Sequence, residues 1–183
     1  YVGAPGVTPD ELLTYLEANE ALDRNACPPG QRYAVISPKM NTAIVDSLKG
    51  LLVPSSELGS QFLTGRMGRA VGLEWLMDQN VRTHTAGTQG TGAIQVNTTV
   101  AATQSTLVVK GLTPTTGTVT EGSKFTIEGV YAVNPVSGDA LTDLRQFTVT
   151  ETKTANGSGV ATLSIYPEIN TTAPNKTVSA YPV

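Results

Sequence analysis

The stretch SKFTIEGVYAVNPVSGDAL, residues 123–141, decides how the second half of this chain folds. Its apolar residues keep one parity, which is typical of a strand with one buried face: Phe125, Ile127, Tyr131 and Val133. Asn134-Pro135 predicts the end of this strand, because proline has no N–H to donate to a sheet. The Ser-Gly-Asp sequence at 137–139 then predicts a turn that leads the chain towards Phe147.

Three further segments of the second half also read as strands: TLVVKG (106–111), RQFTVTET (145–152) and GVATLSIY (159–166). Alternate apolar residues predict their buried faces: Phe147 and Val149, and Ala161, Leu163 and Ile165. Asn156-Gly157 predicts a hairpin turn, since both residue types tolerate positive φ. Four strands joined by short turns indicate a compact antiparallel barrel or sandwich.

The first half has helical patterns instead. Thr8 and Pro9 predict a helix start, and residues 8–26 carry an apolar stripe at helical spacing: Leu12, Leu13, Leu16 and Leu22. Residues 32–37 predict a short strand. Ser37-Pro38 repeats the cap-then-proline signature and predicts a second helix, and residues 55–65 predict a short third one. Trp75 is expected to be a core or interface residue.

The glycine-containing segment 65–81 predicts one or two strands joined by a bend. The segment 82–105 is rich in Thr, Gly, Ala and Gln and has few large apolar residues. It indicates a linker or exposed loop, with one possible strand around residues 94–96.

Composition excludes several kinds of site. The net charge is −3 with no basic run, which argues against a nucleic-acid-binding face, because phosphate binding needs clustered Lys or Arg. No apolar run reaches the roughly 18–20 residues of a membrane span. Cys27 and His84 are single residues of their types, so a zinc site built on the usual ligands is excluded. Asp139 and Asp143 are too few carboxylates for a calcium loop. We therefore expect no metal and no cofactor.

Catalytic residues are also not expected. A general base at His84 would need a nucleophile and an orienting carboxylate nearby, and the sequence indicates neither. Cys27 lacks an activating pattern and is interpreted as a helix-end packing residue. The glycines of GTQGTGA (87–93) lack the Lys-Ser or Lys-Thr of a phosphate loop. Arg66 and Arg69 are interpreted as facing solvent or a neighbouring subunit.

Four Asn-x-Ser/Thr triplets would be glycosylation acceptors in a secreted protein: those at Asn97, Asn156, Asn170 and Asn175. In a Thr-rich chain they are expected by composition alone. No catalytic, cofactor-binding or metal-binding residue is therefore predicted, and we expect the protein not to be an enzyme.

Several segments together resemble the major coat proteins of tailed bacteriophages. RYAVISPKMNTAIVDSLKGL and TGRMGRAVGLEWLMDQNVRTHTAG are similar to part of the Hong Kong 97-type capsid fold. EGSKFTIEGVYAVNPVSG and LRQFTVTETKTANGSGVATLSIYPEI resemble the inserted β-domain of coat proteins of the Salmonella podophage type. The similarity covers about residues 30–180.

The resemblance implies an α+β fold in which a partial Hong Kong 97-type capsid core is followed by an inserted antiparallel β-barrel domain. The core corresponds to residues 1–85, a linker to 86–105, the inserted domain to 106–170 and an extended return segment to 171–183. The spine helix before residue 1 and the return after Val183 are missing, so the chain is expected to be a fragment. A long loop that reaches a neighbouring capsomer in some members has no counterpart here.

The resemblance further implies a structural subunit of a phage or prophage capsid shell that self-assembles through capsomer contacts. Its expected partners are other coat-protein subunits, with scaffolding and portal proteins, and neither a membrane nor a specific nucleic acid. The expected location is the virion capsid, and the bacterial host cytoplasm during assembly. The alternative is a cell-surface β-sandwich adhesion module, which the Thr-rich strands and Asn-x-Thr triplets favour. A small hydrolase using Ser, His84 and Asp ranks last.

Overall fold

The computed structural model describes residues 1–4, 6–48, 68–90 and 92–182. The chain divides into two compact units, a mixed unit, Tyr1–Thr83, and a β unit, His84–Val183. Over the described residues it combines two helices with strands and a curled antiparallel sheet, the half-barrel of the β unit. The predicted mixture of helix and strand is therefore confirmed.

The described part of the mixed unit, residues 1–4, 6–48 and 68–83, is built from two helices and a small sheet. In chain order its elements are α1 Leu12–Arg24, β1 Tyr33–Ile36, α2 Pro38–Leu48, β2 Arg69–Ala70 and β3 Leu73–Met77. The strand order is β1-β3-β2, with β1 parallel and β2 antiparallel to β3. Among the residues described, its core contains the buried side chains of Tyr15, Ile36, Ile44, Leu73 and Trp75.

The first helix differs from its prediction at the start and in its buried face. It begins at Leu12 rather than near Pro9, and its N-cap Glu11 makes no side-chain cap bond. The Tyr15 hydroxyl donates a hydrogen bond to the Pro9 carbonyl at 3.1 Å. In a helix that began near Pro9, this carbonyl would accept a backbone N–H instead. Tyr15 packs edge-on against Trp75 at 4.7 Å. This contact, and not the leucine stripe, sets the buried face of α1.

Other predictions for the mixed unit agree with the structure. The Met40 N–H donates to the Ser37 hydroxyl at 3.3 Å, as the cap-then-proline signature predicts. The segment 65–81 contains two strands, β2 and β3, joined by a tight turn in which Val71 has φ 58°. Trp75 is buried, as expected. The predicted helix at 55–65 lies outside the described residues.

Seven strands lie within the described residues of the β unit. They are β4 Gln95–Val96, β5 Gln104–Lys110, β6 Thr118–Val119, β7 Lys124–Val133, β8 Ala140–Val149, β9 Lys153–Thr154 and β10 Ala161–Ile169. Five of them form one sheet in the order β4-β5-β10-β8-β7, and β6 pairs with β9. Every described pairing in this unit is antiparallel, as predicted.

The sheet of the β unit does not close into the predicted barrel. Among the described residues it is an open half-barrel whose edge strands are β4 and β7. The strand β4 has only two residues, and they pair with Lys110 and Val109 of β5. An edge this short is a physical reason for the sheet to remain open, since closure needs a matched row of backbone groups.

The buried faces of β8 and β10 are as predicted, whereas that of β7 changes halfway along. Phe125 and Ile127 are half-buried, but beyond Gly129 the buried residues are Val130, Ala132 and Val133, and Tyr131 is 41% exposed. Gly129 has φ 77°, and the pairing with β8 shifts between Thr126 and Tyr131. A second shift follows between Tyr131 and Val133, and bulges of this kind interrupt the alternation of a strand. The predicted parity therefore fails at Tyr131 but agrees with the buried Val133.

The predicted hairpin turn at Asn156-Gly157 exists, but a different residue has positive φ. The side-chain Oδ1 of Asn156 accepts hydrogen bonds from Ser158 N–H and Val160 N–H, at 2.9 and 3.0 Å. Gly159 has φ 71°, whereas Asn156 and Gly157 do not have positive φ. The asparagine side chain, rather than its backbone conformation, therefore holds this turn.

Two segments interpreted as a linker and a return segment contribute to the β unit. Within 86–105, Gln95 and Val96 form β4, and Val100 is buried and donates its N–H to the Pro182 carbonyl at 3.1 Å. Within 171–183, Val178 is fully buried and bridges to Ala132. These two segments can join the β unit with few large side chains, because backbone N–H and C=O groups make most of the hydrogen bonds.

Candidate functional site

The mixed unit exposes an apolar face of its sheet. Successive side chains of a strand point to opposite faces, and the registers pair Tyr33 with Glu74 and Val35 with Leu76. Tyr33, Val35 and Leu76 therefore lie on the face opposite the buried Ile36 and Trp75. We call these three residues the sheet patch; they are 54%, 54% and 47% exposed, respectively. A cluster of large apolar residues at this exposure is a candidate interaction surface.

A second apolar strip of the same unit lies on α1. Leu13, Leu16 and Leu22 are 58%, 46% and 38% exposed. These three leucines of the predicted apolar stripe lie on the helix as expected, but they face solvent instead of the core. Residues three and four positions apart share one face of a helix, so Leu13 and Leu16 form a small exposed surface of their own.

The β unit contains an open groove of about 610 Å³. Its walls are β4, with the adjoining Ile94, on one side and residues 123–128 on the other, which are the two edges of the half-barrel. Its floor is formed by core side chains: Leu107, Val109, Val119 and Leu163. The groove therefore combines an apolar floor with two sheet edges.

Ser123, which lines this groove, belongs to a chain of hydrogen-bonded polar side chains. His84 Nε2 is 3.2 Å from Ser123 Oγ, and Ser123 Oγ is 3.1 Å from Thr120 Oγ1. The Thr120 hydroxyl donates to the Thr85 carbonyl at 3.1 Å. Ser123 is only 6% exposed. The structure thus places a serine beside the one histidine, which the sequence did not indicate, because the two residues are 39 positions apart.

The number of protons in this chain of hydrogen bonds fixes their direction. A carbonyl only accepts, so the single hydroxyl proton of Thr120 goes to Thr85. Ser123 must then donate to Thr120, and its oxygen accepts from an N–H on His84 Nε2. In this arrangement His84 is a donor to Ser123 and is not placed to remove its proton. Within the described residues no carboxylate bonds to the His84 ring. The arrangement is therefore closer to a structural hydrogen-bond network than to a serine–histidine pair that performs hydrolysis.

The other residues that the sequence analysis considered are dispersed. Cys27 is half-buried just after α1, and its N–H donates to the Leu22 carbonyl at 3.0 Å. Arg69 is exposed on β2, and Arg66 lies outside the described residues. Asp139 and Asp143 lie in the turn after β7 and in β8. Across the described part of the chain, no group of three or more His, Cys, Asp or Glu residues could hold a metal ion.

The glycine-rich segment 87–93 runs along the β unit, with residue 91 outside the described residues. The Thr88 carbonyl accepts from Thr118 N–H at 2.9 Å, and the Gln89 carbonyl accepts from Thr113 N–H at 3.1 Å. The carbonyls of Thr88 and Gln89 therefore bond to β6 and to the loop at Thr113 in the same unit.

Asn170 differs from the other asparagines of the four triplets because it is buried, with 8% exposure. Its Oδ1 accepts from Thr172 N–H at 2.8 Å and from the Thr103 hydroxyl at 3.2 Å, and its Nδ2 donates to the Asn175 carbonyl at 3.0 Å. These bonds hold residues 170–178 against the β unit. A burial-driven role of this kind leaves no signal in the local sequence.

Two arginines were also missed by the sequence analysis. Arg32 Nη2 is 2.7 Å from Asp23 Oδ1 and 3.0 Å from the Cys27 carbonyl, so it joins β1 to the end of α1. Arg145 lies on β8, where burial lowers the pKa of its guanidinium, and its Nε has no hydrogen-bond partner among the described residues. Neither arginine lies in a pattern that the sequence distinguishes from an ordinary surface position.

The described helices include none long and apolar enough to cross a membrane. Neither a protein-family model nor a curated protein sequence matches this chain.

Proposed function

We propose that this chain is part of a structural subunit of a bacteriophage or prophage capsid shell, and that it is not an enzyme. In this proposal the mixed unit is part of a Hong Kong 97-type capsid core, and the β unit is the inserted domain. The segments RYAVISPKMNTAIVDSLKGL and EGSKFTIEGVYAVNPVSG, which resemble those two regions, fall one in each unit. The β unit has a hydrophobic core of its own, which supports a domain that can fold as an insertion.

The observation that carries the proposal is the sheet patch. Tyr33, Val35 and Leu76 expose large apolar side chains side by side on a sheet whose other face is buried. A protein that assembles with identical neighbours uses broad surfaces of this kind, with an apolar centre and a polar rim. The exposed Leu13 and Leu16 on α1 offer a second such surface.

The low charge supports the same interpretation. Only 15% of the residues are charged, and charged residues are depleted at the centres of interfaces. In the proposed assembly the partners are other coat-protein subunits, together with scaffolding and portal proteins, and the location is the virion or the host cytoplasm.

Electron microscopy of the expressed gene product tests the proposal. We expect shells or capsomers from the unaltered protein and their loss in a Val35→Lys variant, because a charge would be buried in the subunit contact. The matched control is Val136→Lys, at a residue that is 82% exposed in the turn between β7 and β8. Normal shells from the Val35 variant would contradict the assigned surface. A monomeric product that binds a cell-surface ligand would instead support the adhesion-module alternative.

A further inference from the structure

The first half of β7 has a free edge. The Val149 N–H donates to the Ser123 carbonyl at 2.9 Å, so the backbone of Ser123 faces β8. Backbone groups of alternate residues point to opposite sides of a strand. The N–H and C=O groups of Lys124 and Thr126 therefore point away from β8, and Lys124, Thr126 and Glu128 all line the groove. Within residues 1–4, 6–48, 68–90 and 92–182, no backbone hydrogen bond from outside the sheet ladder reaches Lys124 or Thr126.

The second half of this edge is covered, which limits the free part to residues 124–128. The Ser179 N–H donates to the Tyr131 carbonyl and the Tyr131 N–H to the Ser179 hydroxyl, both at 3.0 Å. The bulge at Gly129 separates the two halves. The same residues 124–128 line the open groove, so the free backbone groups are accessible to another chain.

The sequence of the free edge, Lys-Phe-Thr-Ile-Glu, is complementary to itself when it is read antiparallel. With Thr126 opposite Thr126 of another copy, Lys124 lies opposite Glu128, and Phe125 lies opposite Ile127. Opposite charges, an aromatic beside a β-branched residue, and two threonines are the cross-strand pairs that stabilise a sheet. The outward backbone groups of Lys124 and Thr126 also match, because the pairs that contain these two residues are the hydrogen-bonded ones in this register.

From this match we infer that a second copy of this chain docks on residues 124–128 and forms an antiparallel sheet across a twofold axis. The contact is isologous: each copy offers the same patch, and both of the Lys124–Glu128 pairs form. The inference is independent of the proposed capsid function, since it rests on the edge alone.

Charge exchange at the two ends of the edge tests this register. Sedimentation velocity of the whole chain over a range of concentrations should show a monomer–dimer equilibrium. Lys124→Glu and Glu128→Lys each place like charges opposite each other twice, and each should weaken dimerisation about tenfold. The double variant K124E/E128K restores both pairs and should dimerise like the unaltered chain. An equimolar mixture of the two single variants should also associate, because their edges are complementary.

Two controls separate this contact from other effects. Lys39→Glu makes the same change of net charge as Lys124→Glu, but at an exposed position of α2, and should leave dimerisation unchanged. Amide exchange of Lys124, Thr126 and Glu128 should slow as the protein concentration rises, a readout that needs no variant. A chain that stays monomeric, single variants that dimerise normally, or a mixture that fails to associate would each overturn the inference.

Discussion

The Nε2 atom of His84 lies 3.2 Å from the Oγ atom of Ser123, and this contact joins the first residue of the β unit to the turn before β7. Because the Thr120 hydroxyl donates to the Thr85 carbonyl, the proton of Ser123 is directed at Thr120. The pair therefore has the composition of a catalytic dyad, but His84 donates its hydrogen bond to Ser123, as in a structural hydrogen-bond network.

Removal of the Ser123 hydroxyl tests how much this hydrogen-bond network stabilises the β unit. We expect Ser123→Ala to lower the free energy of unfolding of the β unit by about 1–3 kcal/mol, because polar groups of His84 and Thr120 lose their partner. Ser158→Ala, at an exposed serine, is the matched control and should change stability by less than about 0.5 kcal/mol. Chemical denaturation followed by far-UV circular dichroism measures both. Equal stabilities of the two variants would show that the hydrogen-bond network adds nothing to the free energy of unfolding.

The bulge in β7 gives a second prediction. Gly129 and Gly157 both have open space where a Cβ would lie, but only Gly129 has positive φ, at 77°. Gly129→Ala should therefore destabilise the β unit by about 1–2 kcal/mol through backbone strain. Gly157→Ala should be neutral or slightly stabilising, because alanine reduces the freedom of the unfolded chain. Thermal unfolding of the two variants gives the comparison, and a loss at Gly157 as large as that at Gly129 would contradict it.

The buried amide of Asn170 gives a third prediction. Asn170→Asp keeps the shape but replaces the Nδ2 donor to the Asn175 carbonyl with an acceptor. We expect a loss of about 1–3 kcal/mol in the free energy of unfolding at neutral pH. Asn97→Asp makes the same chemical change at an exposed triplet and serves as the control. Denaturant titration would reveal the difference, and similar midpoints for both variants would argue against a structural role for Asn170.

Because its hydroxyl is buried, Tyr15 should make the mixed unit less stable at alkaline pH. Burial, and secondarily the charge of Asp10, raises the pKa of Tyr15 above its ordinary value of 10.0. A raised pKa in the folded state means that the stabilisation is complete below the unfolded value and is lost as the pH rises through the folded pKa. Stability of the mixed unit should therefore fall as the pH rises above 10.

Fluorescence of Trp75, which packs against Tyr15, reports this transition during denaturation at several pH values. Tyr15→Phe lacks the ionisable hydroxyl, so its stability should depend less steeply on pH in the same range. An identical pH dependence in the variant would assign the alkaline loss to other groups.

The local pattern was sufficient for the long strands of the β unit. The strand end predicted by Asn134-Pro135 agrees with the structure, in which β7 ends at Val133. Phe147, Val149, Leu163 and Ile165 are buried as their alternation predicted. Alternation works in these strands because one face of the sheet packs on a core. The same reasoning failed for Tyr131, because the pairing with β8 is irregular between Thr126 and Val133 and interrupts the alternation of β7. Beyond this irregularity Val133 is buried as predicted.

The sequence by itself determined which segments become helices and long strands, and where Asn134-Pro135 ends β7, because those outcomes depend on neighbouring residues. The tertiary structure decided which face of α1 is buried, that the sheet stays open between β4 and β7, and that His84 meets Ser123. Each of these depends on residues distant in the chain. Non-local pairing is determined by the packing of the whole unit, and no local period records it.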